Sequence, residues 1–313
     1  MVKKLFLPIG LLVSIAVACF LPAPGAWLRA HHGIQLFIVT IFLVNGWTVK
    51  LSGEHLNLRL ALALVVACLL SLVAGPWIGV WVSRAIGGLS GPLEIGIVVM
   101  SAVPVTLSSA IVISGVAGGN AVWALIMTMG MNLAGIIMIP VMLKLCLEVG
   151  GDTQISAPVL LFKLINLVLL PFVIGHLARR LLRYRTPRLL RYLPSLCVIL
   201  TVYAAFAASR DDLLAVEFNM YPRILVSVLT IHLILFAAAV LLSRLMKFEA
   251  GDEKAFCFVS SQKSLPIAVS VLAALALDSA MVLLPCLIFH FCQLFLDSCI
   301  AFQWSRVSAR NDA

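Results

Sequence analysis

Charged side chains are scarce in this chain. Asp, Glu, Lys and Arg make up 11% of its 313 residues, while 63% are hydrophobic; soluble globular domains carry about 25% and about 45–50%. That excludes a soluble fold and leaves an integral, polytopic membrane protein. Acidic residues number 13 against 22 Lys and Arg, yet a nucleic-acid partner is excluded too. The basic residues form no patch interleaved with aromatics and fall between apolar runs, where they report topology. The eight cysteines lie mostly inside apolar runs and form no C-x-x-C pair, so they read as small buried hydrophobes. Also missing are H-E-x-x-H, G-x-S-x-G and paired aspartates within the apolar runs, the motifs an intramembrane enzyme would display. The chain therefore reads as a non-enzyme with no cofactor. No N-x-S/T sequon occurs, which suits a bacterial inner membrane.

What the chain has in abundance is long apolar runs. Ten are of membrane-spanning length, near 5–22, 33–49, 60–83, 92–117, 120–146, 157–178, 189–208, 222–246, 254–277 and 280–304. The first follows Lys3 and Lys4 in the layout of a signal peptide, but its length favours a first transmembrane helix. With the N-terminus inside, fifteen of the 22 basic residues are cytoplasmic, six lie outside and Lys263 remains within the membrane. The cluster RRLLRYRTPRLLR at 179–191 dominates this count. Both termini are thus expected in the cytoplasm.

The linker GGDTQISAP at 150–158 divides the runs into five and five. An odd number per half requires that any relation between the halves be inverted in the membrane, which is a transporter signature. The expected units are 1–150 (first repeat, helices 1–5) and 157–313 (second repeat, helices 6–10). The fourth run of each half carries small hydroxyl residues beside a proline: AVPVTLSSA at 102–110 and VSSQKSLP at 259–266. Pro104 and Pro266 each remove a backbone donor and free polar groups that lipid cannot satisfy, so such backbone must be buried in protein or line a cavity. An ordinary proline kink explains either segment alone. Their recurrence in equivalent places favours two broken helices, whose opposed ends offer partial charges of both signs to ions and substrate.

Three stretches carry a resemblance: LSSAIVISGVAGGN (107–120), SQKSL (261–265) and PCLIFHFCQLFLDS (285–298). In these the chain resembles the bile acid:sodium symporter family, nearest its divergent branch of YfeH-like bacterial proteins and the seventh vertebrate member of solute carrier family 10. The resemblance implies ten transmembrane helices in two inverted five-helix repeats with broken, crossing helices 4 and 9. It further implies a panel of helices 1, 2, 6 and 7 that moves against a core of helices 3, 4, 5, 8, 9 and 10. Sodium ligands carry over to Ser108, Ser109, Thr128 and Gln262. Better-known members have a glutamate one turn before the glutamine, where this chain has Phe258, and an uncharged residue where it has Lys263.

Lys263 lies nine residues from Lys254, about 13 Å along a helix, and a charge at that depth costs about 2.5–3.5 kcal/mol unless it meets a partner or a wet cavity. Asp297 sits at a similar depth in the last run and shares a face with His290 and Gln293, spaced i, i+3, i+7. Three readings are open: a Lys263–Asp297 pair, a Lys263 that meets substrate or backbone carbonyls while Asp297 bonds elsewhere, and a snorkelling lysine. Ser261, Lys263, Ser264, His290, Gln293, Asp297 and Asn132 are the candidate substrate or coupling residues. His232 reads as a packing or interfacial residue rather than a proton carrier. The expected function is secondary active transport of a small organic anion by alternating access, coupled to sodium or to protons. A non-transporting regulator of ion homeostasis on the same scaffold is the alternative, and the sequence does not disclose the oligomeric state.

Overall fold

The computed structural model describes residues 2–48, 57–86, 89–106, 109–148, 156–182, 190, 192–211, 216–277 and 279–311. These contain helices, turns and extended connections but no strand. In chain order the helices are α1 (Val2–Phe20), α2 (Pro22–Ala30), α3 (Gly33–Thr48), α4 (Leu58–Cys68), α5 (Gly75–Ile86), α6 (Pro92–Ala102), α7 (Ser109–Val116), α8 (Ala121–Glu148), α9 (Ala157–Leu164), α10 (Leu170–Leu182), α11 (Leu193–Ala208), α12 (Met220–Leu245), α13 (Ala250–Ser261), α14 (Leu265–Ala274) and α15 (Ala280–Asn311). Each predicted apolar run is helical over most of its length.

Among the described residues, six helical spans are long and apolar enough to cross a membrane, or seven if the bent α1–α2 pair counts as one. The helices Gly33–Thr48, Pro92–Ala102 and Leu193–Ala208 are apolar but shorter. The protein is therefore an all-helical integral membrane protein. One expectation needed refinement at its edge: the first run does not continue straight past Phe20, because the chain bends by 101° into α2. The Tyr203 hydroxyl donates to the Leu21 carbonyl at this bend, satisfying an acceptor that the broken helix releases.

The helices form two compact units. The first comprises Met1–Ser52, Pro158–Phe218 and Pro266–Leu284. Within it α3 and α10 touch backbone to backbone: a Cβ added at Gly46 would lie 2.0 Å from the Phe172 carbonyl oxygen, and one at Gly175 would lie 2.0 Å from that of Leu43. Only glycine permits so close an approach. Arg179 closes the contact by donating to the Trp47 and Thr48 carbonyls at the end of α3.

The second unit comprises Gly53–Ala157, Asn219–Leu265 and Pro285–Ala313. It contains two places where the helix is lost inside the protein. After α6 the chain runs through extended Val103, and Pro104 follows, in keeping with the restriction that proline puts on its predecessor. The Pro104 ring is accommodated by Gly135 of α8, where a Cβ would lie 2.9 Å from Pro104 Cγ. The second loss spans 262–264, between α13 and α14, and starts with an extended Gln262. Pro266 does not cause this break directly; it lies in the first turn of α14, where a helix needs no N–H from it. The span that holds this break is 94% buried, against 22–61% for the other five, so it is enclosed by protein.

The α3–α10 contact yields a stability prediction. Gly46→Ala and Gly175→Ala should each lower the unfolding temperature in detergent, consistent with an overpacking loss of about 1–3 kcal/mol or more. Combining them should add little, because one separation of the helices relieves both overlaps; equal and additive losses would contradict the shared contact.

Candidate ion and substrate site

The polar residues of the second unit converge on its two breaks. Gln262, the first residue after α13, accepts at Oε1 from the Thr106 hydroxyl (3.3 Å) and from the Ser109 hydroxyl (3.1 Å). Thr106 and Ser109 also contact each other through their hydroxyls. One side chain therefore joins the two breaks. At its other end Gln262 Nε2 donates to Asp297 Oδ2 (2.7 Å), and Asp297 Oδ1 accepts from His232 Nε2 (2.9 Å). Gln262, Asp297 and His232 are all buried.

The next residue faces away. Successive side chains of an extended segment point to opposite sides, so Lys263 leaves Gln262 and Asp297 behind. Its Nζ donates to the Ser71 carbonyl (2.6 Å) and to the Ser71 hydroxyl (2.9 Å). Of the three open readings, the direct Lys263–Asp297 pair is absent, the lysine is fully buried rather than snorkelled, and the backbone-carbonyl reading holds. His232 is packed against Phe236 and Phe289, as expected, and it also bonds Asp297, which the sequence did not indicate.

Why the Ser71 carbonyl is available follows from the local sequence. Between α4 and α5 the turn Leu69–Ala74 is π-helical, and the Gly75 amide donates to the Leu70 carbonyl five residues back. In that register the Ser71 carbonyl faces residue 76, which is a proline and has no N–H to give. A buried carbonyl without a donor is costly. Lys263 supplies the donor from across the unit.

The last long helix stabilises the unwound segment. Gln293 Oε1 accepts from the Lys263 amide (2.8 Å), and Gln293 Nε2 donates to the Lys263 carbonyl (2.7 Å). A side-chain amide thus mimics a peptide partner and replaces bonds that the helix has lost. Gln293 Nε2 also donates to His290 Nδ1 (3.3 Å), which places the imidazole proton on Nε2. That buried Nε2 has no partner, so His290 presents a free donor. In His232 the contacted atom differs: Nε2 donates to Asp297, and the unpartnered atom is Nδ1.

On α8, Asn132 Nδ2 donates to the Val105 carbonyl in the first break (3.1 Å) and to the Thr128 carbonyl (2.7 Å). Asn132 Oδ1 and Thr128 Oγ1 are buried without partners. Four neutral oxygens are thus placed at the breaks, the Thr106 and Ser109 hydroxyls, Gln262 Oε1 and Asn132 Oδ1, and Thr128 Oγ1 lies one turn before Asn132 on α8. Hydroxyl and amide oxygens are hard ligands suited to a hard cation, and the two unpartnered oxygens leave lone pairs for one. Among the described residues no group of three or more His, Cys, Asp or Glu is placed to hold a metal.

Ser108 lies outside the described residues. Ser261 donates back to the Cys257 carbonyl (2.8 Å), and Ser264 is buried at the end of the break. Phe258, at the position where the resemblance puts a glutamate in better-known members, packs with Phe236 and Trp304 at ring distances of 5.4–5.7 Å. The acid is replaced by an aromatic cluster, not by another oxygen.

A model of the SBF-like CPA transporter family matches residues 6–306. The chain belongs to that family. The chain is 30% identical to an uncharacterized protein of Pseudomonas aeruginosa, over its whole length and 97% of the relative. It is 27% identical to the probable sodium/metabolite cotransporter BASS4 of rice, over 96% of the chain and 75% of the relative. It is 26% identical to the putative symporter YfeH of Escherichia coli, over 97% and 93%.

The clamp on the unwound segment is open to test. Gln293→Met keeps the length of the side chain but leaves the Lys263 amide and carbonyl without partners. The protein should lose about 1–3 kcal/mol of stability, read as a lower unfolding temperature. Ser298→Ala, on the exposed side of the same helix, should stay within about 0.5 kcal/mol.

Proposed function

We propose that this SBF-like transporter is a secondary active carrier that moves a small organic anion by alternating access, driven by a sodium ion or, in its place, a proton. The observation that carries the reading is the junction of two helix breaks at Gln262, together with the unpartnered buried oxygens of Thr128 and Asn132 on α8 and the unpartnered Nε2 of His290 on α15. Sodium is taken at Ser109, Thr128 and Gln262, with Ser108 supplied by the family resemblance; Thr106 and Asn132 are additions that the geometry favours. The names of the relatives, a sodium/metabolite cotransporter and a symporter among them, support the same reading.

The anion meets the free Nε2–H of His290, with Ser261, Ser264, Lys263, Gln293 and Asp297 shaping the site around it. A buried donor without a partner is a standing penalty in the empty protein, and an anionic oxygen removes it. Ten transmembrane helices in two inverted repeats, 1–150 and 157–313, frame this site in our proposal. The panel of helices 1, 2, 6 and 7 moves against the core of the other six. The protein resides in a bacterial inner membrane with both termini in the cytoplasm, as the distribution of basic residues favours.

Purified protein should be stabilised by sodium and not by choline, since a ligand that binds only the folded state raises its stability. Ser109→Ala should abolish the shift, and Thr128→Ala should raise the half-saturating sodium concentration about tenfold if one oxygen ligand is worth about 1.4 kcal/mol. In proteoliposomes an imposed sodium gradient should drive uptake of an organic anion. No shift with sodium in the wild type would remove sodium as the driving ion and leave the proton. Failure of uptake under both gradients would favour a regulator on this scaffold.

A further inference from the structure

The surroundings of the Lys263 ammonium have the chemistry of a cation site rather than of a salt bridge. Its two bonds go to a backbone carbonyl and a hydroxyl of one residue, Ser71, and no carboxylate is bonded to it. Those are the neutral oxygens that a monovalent cation selects. The carbonyl is free because the π-helical register sets it against Pro76, so the acceptor is a fixed property of the backbone. Space for the guest is built in as well. A Cβ at Gly75 would lie 3.0 Å from Lys263 Nζ and 2.8 Å from the Ser101 carbonyl oxygen, so the missing side chain leaves room for a guest beside a second carbonyl. Lys263 is buried at both its peptide and its ammonium.

We propose that Ser71, Gly75 and the carbonyl of Ser101 form a monovalent-cation cradle that the chain fills with its own Lys263 ammonium. The protein then carries one tethered amine of its own in addition to the sodium site proposed at Ser109, Thr128 and Gln262. It requires one free ion fewer to present positive charge at the breaks. The cradle stands on local geometry and does not depend on transport.

The test removes the tether and offers replacements. Lys263→Ala deletes three methylenes and the ammonium, a gap matched by n-propylammonium, with n-propanol as the uncharged control. In choline buffer Lys263→Ala should unfold at a lower temperature than the wild type. Sodium, potassium or n-propylammonium should recover at least half of the loss in a saturable way, and propanol should not. Adding Ser71→Ala should weaken that recovery, and Lys263→Met, which fills the cradle with an apolar chain, should lose stability without recovering it.

An unchanged unfolding temperature in Lys263→Ala overturns the proposal. So does a loss that no cation recovers better than propanol. If the alanine variant does not fold, wild-type protein labelled with an amine-acylating reagent gives the answer: Lys263 should stay unmodified under conditions that label Lys247, and labelling of Lys263 would overturn the cradle. Cation recovery in a protein that accumulates no anion would leave the cradle standing while the carrier reading falls.

Discussion

A membrane interior gives a polypeptide no hydrogen bonds, so every peptide that leaves the helix must find its partner inside the protein. The second unit is organised around that constraint. Two helices lose their regular bonding, and the buried polar groups around them are met by four side chains: Gln293 on the Lys263 peptide, Asn132 on the Val105 carbonyl, Lys263 on the Ser71 carbonyl, and Gln262 between the Thr106–Ser109 hydroxyls and Asp297. Each of these side chains is fixed by the bonds it makes. A segment that is costly to unwind becomes a stable scaffold for oxygens that face inward.

The network also separates charge from oxygen. Adjacent residues in an extended segment project oppositely, and Gln262 and Lys263 use that alternation to serve two neighbourhoods. Gln262 reaches the hydroxyls and Asp297, while Lys263 reaches a proline-orphaned carbonyl. Asp297 is held by two donors, Gln262 and His232, so the carboxylate is satisfied without the lysine.

Much of this was legible in the sequence because the rules involved are local. The breaks show as prolines and small hydroxyl residues inside apolar runs, and the inward face of α15 shows as the i, i+3, i+7 spacing of His290, Gln293 and Asp297. The part that escaped depends on register. Ser71 lies in an unremarked apolar run, and only the shift to π-helical bonding ahead of Pro76 turns its carbonyl into an acceptor. His232 is a lone histidine on an apolar helix, a pattern that packing produces more often than pairing, and its role depends on which helix α15 happens to face. Thr106 shows in the sequence only as part of the break, and that its hydroxyl helps to join the two breaks depends on the fold. The 101° bend after Phe20 escaped because Leu21 and Pro22 simply extend an apolar run.

The α3–α10 contact has a mechanical consequence. Where Gly46 and Gly175 each rest on the other helix's backbone, neither helix can slide along the other without lifting away, since the next residue in either direction carries a side chain. Shear along that seam is blocked, and the pair behaves as a single stiff plank. Any change of shape in the protein must therefore be taken up by softer seams, and the plank itself transmits force without absorbing it.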